Sequence, residues 1–154
     1  MSRRELLMNS LQATVHDLIR NLRTIDEAAA RQAPTPDEWS IADVVAHLGY
    51  IEPLYLARLR RIVEQDNPFE PSLQPDRSAH DLSRSLNDLL QQFILRRAET
   101  VVFLQGLEQS DWARRVTHET MGAGRLRDHV QMLIEHDSDH LQQIVTLREQ
   151  LEKE

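Results

Sequence analysis

The stretch Leu133–Ile144, LIEHDSDHLQQI, puts two histidines, His136 and His140, four residues apart. On an α-helix that spacing sets both side chains on one face, about one turn apart. Two imidazoles held by a rigid backbone can chelate one metal ion, and a third ligand would complete a site. The same pair is also what the half-buried polar rim of a helical core looks like, so spacing alone leaves both readings open.

A third nitrogen is available from His47, which borders an apolar stripe beside Leu48 and Ile51. It reaches the pair only if its helix packs against the helix of His136 and His140. Three neutral imidazoles suit Zn, Ni, Cu or Fe and leave positions open for water or substrate. The remaining histidines are weaker candidates. His16 and His80 read as exposed helix residues, and His118 falls in a joint where backbone is its natural partner. His129 shares the row of His136 but lies two turns before it, too far to share an ion. Asp137 falls in the middle of the apolar arc, where a carboxylate needs a partner. It is either satisfied structurally, by the Trp39 indole or a tyrosine hydroxyl, or it orients a ligand histidine or serves as a base. Glu135 and Asp139 point outwards.

Four amphipathic segments must position these residues. The first runs from about Arg3 to Arg31, with Leu11, Leu18 and Ile25 recurring every seventh residue and Val15, Leu22 and Ala29 in a companion row. Pro34 and Pro36 end it. Ser40, with Asp43 three residues on, caps a second helix whose stripe is Ile41, Val44, Val45, Leu48, Ile51, Tyr55, Leu59 and Ile62. Pro53 inside that stripe is expected to kink or divide it. The connection DNPFEPSLQPDRS is long enough for the next helix to run parallel instead of folding straight back. A third helix is expected from near Ser78, paired with Asp81, to about Gln109. A joint ending in Gly122 and Gly124 leads to a last helix from about Arg125 to Leu151. No convincing strand pattern is present, so the fold expected for residues 1–154 is a single all-α domain, a four-helix bundle with a long crossover.

Composition narrows the function. The chain has 154 residues, a formal net charge of -7 and no cysteine. Disulfides, thiolate ligands and a cysteine nucleophile are excluded. The acidic balance disfavours nucleic acid. The arginines that cluster at Arg58, Arg60 and Arg61, and at Arg96 and Arg97, lack interleaved aromatics and read as solvated helix faces. No apolar run reaches membrane-spanning length, and MSRRELLMNS is not a secretory signal, so a cytoplasmic location is expected. A ferritin-like di-iron centre is disfavoured, since only Asp137-x-x-His140 approximates its Glu-x-x-His motif.

EWSIADVVAHLGYIEPLYLARL, with Trp39, Ser40 and His47, resembles the second helix of the DinB-like domain. THETMGAGRLRDHVQMLIEHDSDHLQQIVTLR resembles that family's closing segment, with its joint histidine, glycine turn and His-x-x-x-His helix. The resemblance implies a four-helix bundle with a long crossover and a metal triad at His47, His136 and His140, holding a divalent ion such as Zn, Ni or Fe. It also implies a metal-dependent enzyme, foremost an S-transferase joining a low-molecular-weight thiol to small electrophiles. A metal-dependent hydrolase and a non-catalytic metal- or ligand-binding bundle in a stress response are the alternatives. The resemblance assigns no catalytic residue. The partners expected are a small-molecule substrate and a second copy of the chain, with neither nucleic acid nor membrane.

Overall fold

A computed structural model describes residues 1–75 and 77–153. Its long helices are α1 (Arg3–Leu22), α3 (Ile41–Glu64), α4 (Leu86–Gln105) and α5 (Leu126–Glu152), with a one-turn α2 (Glu27–Ala30) after the first. α1 packs against α4 and α5, and α3 also packs against α4 and α5. One half of the core joins Leu18 and Leu22 of α1 to Ile41–Leu48, to Leu86, Leu89 and Phe93, and to Ile144 and Leu147. The other half joins Leu7 and Leu11 to Ile51–Ile62, to Val101 and Leu104, and to Leu126, Val130 and Leu133. α3 and α4 therefore run parallel to each other and opposite to α1 and α5. The crossover expected from the proline-rich connection is present: α3 ends at Glu64 and α4 begins at Leu86, at the opposite end of the bundle. α3 spans about 36 Å at the usual helical rise, so a short loop could not make that return.

Several boundaries differ from the sequence reading. α1 ends at Leu22 instead of near Arg31, because the Asp26 side chain accepts a hydrogen bond from the Ala29 N–H (2.7 Å) and starts α2 afresh. Aspartate prefers such caps to helix interiors. α4 begins after Ser85, not near Ser78. Arg77–Ala79 form a single 3-10 turn, Asp81 accepts from the backbone and hydroxyl of Ser83, and Ser85 caps α4 through the Asp88 N–H (3.1 Å).

α3 starts as expected from its Ser40–Asp43 capping box, but it is not divided at Pro53. Proline cannot donate to the carbonyl four residues earlier, which is that of Gly49. Arg96 of α4 supplies the missing donor, its NH1 reaching the Gly49 oxygen at 2.5 Å.

A small sheet was not foreseen. β1 (Phe69–Glu70) pairs in parallel with β2 (Arg115–His118), which pairs antiparallel with β3 (Gly122–Arg125). Strands of two and four residues are too short to show alternation. Gly122, at φ 74, allows the turn between β2 and β3. The sheet closes the bundle end where α5 starts.

Candidate metal centre

His47 lies in the second turn of α3 and is buried. His136 and His140 lie one turn apart on α5 and are half-buried. Because α3 packs on α5, the three rings converge. His47 Nε2 stands 3.0 Å from His136 Nε2, and His140 Nε2 stands 3.1 Å from the same atom. Ligand atoms in a tetrahedral zinc site, each about 2.0–2.1 Å from the ion, lie roughly 3.3 Å from one another. The three nitrogens need little adjustment to hold a cation.

Protonation supports the same fit. Burial first, and then neighbouring His140 and His80, lower the pKa of His47 to about 4. Burial, followed by His140, His47 and Arg97, lowers that of His136 to about 3. Both rings are neutral at pH 7, the form that ligates. The Gln143 oxygen sits 2.9 Å from His140 Nδ1. A hydrogen on Nδ1 donated to that oxygen leaves Nε2 as the ligating nitrogen. Three imidazoles turning Nε2 towards one point leave more lone pairs than protons to share among them, and a cation resolves this.

Trp39 roofs the cluster. Its ring lies 5.0 Å from that of His47, stacks on His140 at 6.0 Å, and meets His80 edge-on at 4.5 Å. Beyond Trp39 and His140 opens a cavity of about 610 Å³ bordered by Glu38, Gln142, Gln143 and Thr146. It is large enough for a small molecule.

His80 is not an exposed helix residue. Its side chain is buried beside the centre, with Nδ1 at 2.8 Å from Asp43 Oδ1. The sequence reading placed His80 in the first turn of the third helix, but that helix starts only at Leu86 and residue 80 belongs to the connection that packs against Asp43.

Asp137 is buried, as its place on the arc implied, but its partners are neither Trp39 nor a tyrosine. It accepts from Arg97 (NH1 and NH2, both 2.9 Å) and from the Thr14 hydroxyl (2.8 Å). Arg97 also donates to Glu52 (2.8 and 2.9 Å) and to the Leu11 carbonyl (2.9 Å), so all five of its N–H groups are used. Burial alone would weaken the charge on Arg97, but Glu52 and Asp137 more than offset this and raise its pKa. Burial raises the pKa of Asp137, and Arg97 opposes that rise. This network joins all four long helices. Removing one member of such a buried cluster costs about 3–5 kcal/mol. Asp137 thus braces the helix that presents His136 and His140, without touching either ring.

The reading of the arginines as solvated is overturned for two of them. Arg97 and Arg58 are each 1% exposed. A sequence signal existed for Arg97, which stands four residues after Phe93 and four before Val101 on the buried stripe of α4.

Among sequence families, the DinB superfamily matches residues 10–144. The chain belongs to the DinB superfamily. A search of curated proteins returned no match. The DinB fold recurs in solved structures. YfiT from Bacillus subtilis, described as a probable metal-dependent hydrolase with an unusual four-helix bundle topology, superposes with a TM-score of 0.80 at 15% identity, covering 98% of this chain and 90% of its own. A DinB-like protein from Bacillus cereus gives 0.73 at 15% identity, over 96% of this chain and 91% of the other. A mycothiol-dependent maleylpyruvate isomerase gives 0.71 at 14% identity, over 90% of this chain but only 59% of the longer enzyme.

The other histidines of this DinB chain lie apart from the centre. His118 accepts backbone N–H bonds from Thr120 (3.2 Å) and Met121 (3.1 Å), the backbone role expected of a joint residue. Its ring lies 5.7 Å from that of His129, which is buried. His16 is exposed.

Proposed function

We propose that His47, His136 and His140 bind one divalent ion, Zn, Ni or Fe, and that the protein is a metal-dependent enzyme joining a low-molecular-weight thiol to a small electrophile. The observation that carries this reading is the convergence of three Nε2 atoms, with His136 Nε2 at 3.0 and 3.1 Å from the other two. A bound divalent ion supplies the means to lower a thiol's pKa and generate the nucleophile near neutral pH.

The chain's own groups do the rest. Trp39 and the buried rings exclude water from one side of the centre. Gln143 keeps the His140 proton away from the metal-facing nitrogen. The cavity past Trp39 admits the reactants. In the reaction the thiol passes its S–H proton to bulk water, its sulfur bonds the electrophilic carbon, and the leaving group departs with the electron pair of the bond that breaks. The chain has no cysteine, so the sulfur comes from a cosubstrate, and a relative whose description names mycothiol supports that choice. Hydrolysis by activated water is the second reading, favoured by the description of YfiT. We further propose a cytoplasmic protein that acts on small molecules without nucleic acid or membrane and pairs with a second copy of the chain. No described helix is long and apolar enough to cross a membrane.

Metal content per chain, measured on untagged protein, tests the centre. The wild type and His16→Ala should retain about one equivalent, and His47→Ala, His136→Ala and His140→Ala should each lose it, with helicity intact. Full occupancy in the last two would reduce the pair to a polar rim. Thiol consumption in the presence of electrophiles, set against ester or amide hydrolysis without thiol, then separates the two chemistries.

A further inference from the structure

The buried interior around the centre contains three side-chain nitrogens that lack any hydrogen-bond partner, His136 Nδ1 and two others that are neighbours and chemically complementary. One is His47 Nδ1, the other His80 Nε2. Neither is accounted for by the three converging Nε2 atoms.

The proton on His80 is fixed by Asp43. That carboxylate receives the Ser40 N–H and hydroxyl (both 2.9 Å), Arg77 through Nε (3.3 Å) and NH2 (3.1 Å), and His80 Nδ1 (2.8 Å). Carboxylate oxygens surrounded by donors only accept, so His80 Nδ1 carries the hydrogen. With that hydrogen given to Asp43, the other ring nitrogen is the one left to accept. His80 Nε2 is then a bare lone pair. When His47 ligates through Nε2, its own hydrogen must sit on Nδ1. One atom is thus an acceptor in need of a donor, and the other a donor in need of an acceptor.

The rings are neighbours. Their centroids lie 5.9 Å apart at 70°, and Trp39 packs on both. A ring nitrogen lies roughly 1.2 Å from its centroid, so His47 Nδ1 and His80 Nε2 turned towards each other at this separation would stand about 3.5 Å apart, and ring rotation is what brings them into hydrogen-bond range. Ligating histidines generally hand their second N–H to such a partner, which fixes the ring and raises its basicity.

We propose that His80 is the positioning residue for His47: with a metal ion on His47 Nε2, His47 Nδ1–H donates to His80 Nε2, and His80 Nδ1–H donates to Asp43. The inference rests on the metal reading above. It also gives the crossover segment a function, since that segment carries His80 to the N-terminal end of α3.

The test is zinc affinity, by competition with a chromophoric chelator, together with side-chain 15N NMR. His80→Phe removes the acceptor while Asp43 keeps Ser40 and Arg77. It should bind zinc about 10- to 100-fold more weakly. His80→Gln, which offers an amide oxygen, should recover part of the loss, and His16→Ala should be unchanged. In wild-type protein, zinc loading should bring out a protected His47 Nδ1–H proton and shift the His80 Nε2 resonance as an accepting nitrogen shifts. An unmoved His80 Nε2 signal in zinc-loaded wild type, or His80→Phe affinity within about twofold of wild type, overturns the proposal and leaves the metal centre standing. Failure of wild-type protein to bind zinc, cobalt or nickel overturns both.

Discussion

His129 shows what burial does to a single titratable residue. It is 2% exposed, and its Nδ1 has no partner. Burial first, then Arg58 and His118, lower its pKa to about 4, against the smaller opposing pull of Glu70 and Asp128. A histidine whose folded pKa lies below its unfolded value of about 6.5 binds fewer protons folded than unfolded. Its contribution to stability is therefore intact at neutral pH and is lost as pH falls from about 6.5 towards 4. Urea midpoints measured across that window should fall less steeply in His129→Gln than in wild type, and superimposable pH profiles would refute the assignment. The three converging histidines were readable from sequence because two of them share a helical row and the third borders an apolar stripe. Their surroundings were not. Arg97 was hidden by the habit of placing arginine outside, although its position on the α4 stripe argued otherwise. His80 was misread as an exposed helix residue, because only the fold brings residue 80 to residue 43.

Among the elements, α3 depends most on a neighbour. Pro53 leaves the Gly49 carbonyl without its helical donor, and Arg96 of α4 takes that place. The two residues should be energetically coupled. Arg96→Ala should destabilise the protein by about 1–2 kcal/mol, the cost of stranding a buried acceptor. In a Pro53→Ala background, where the backbone N–H returns, the same substitution should cost markedly less, and a double-mutant cycle by urea denaturation measures the difference. Additive effects would show that Arg96 does not complete the helix. The four long helices were legible in order and stripe, and the Ser40 cap was placed correctly. The errors came where short polar side chains redirect the backbone, as Asp26 does after α1 and Ser85 does before α4. The strands escaped because pairing between Phe69 and Thr117 is a property of the assembled bundle, not of either segment.

At the scale of the whole molecule, a metal ion at the centre would bridge α3 and α5, helices that lie beside each other but far apart in the chain. Such a ligand binds the folded state alone. Zinc at a hundred times its dissociation constant should stabilise the protein by about 2.7 kcal/mol. A rise in Tm on adding zinc to wild type, absent in His47→Ala, is the expected result, and a wild-type Tm indifferent to zinc would contradict the bridge. The crossover has a kinetic consequence as well. Thr14 meets Asp137 across 123 positions and His47 meets His136 across 89, so most of the chain must be gathered before either contact forms. Helical proteins built from local contacts fold within microseconds to milliseconds, whereas distant pairings slow the search. This bundle should fold slowly for its helical content, and its three imidazoles should meet only late, so that metal is captured by a structure already formed and does not template it.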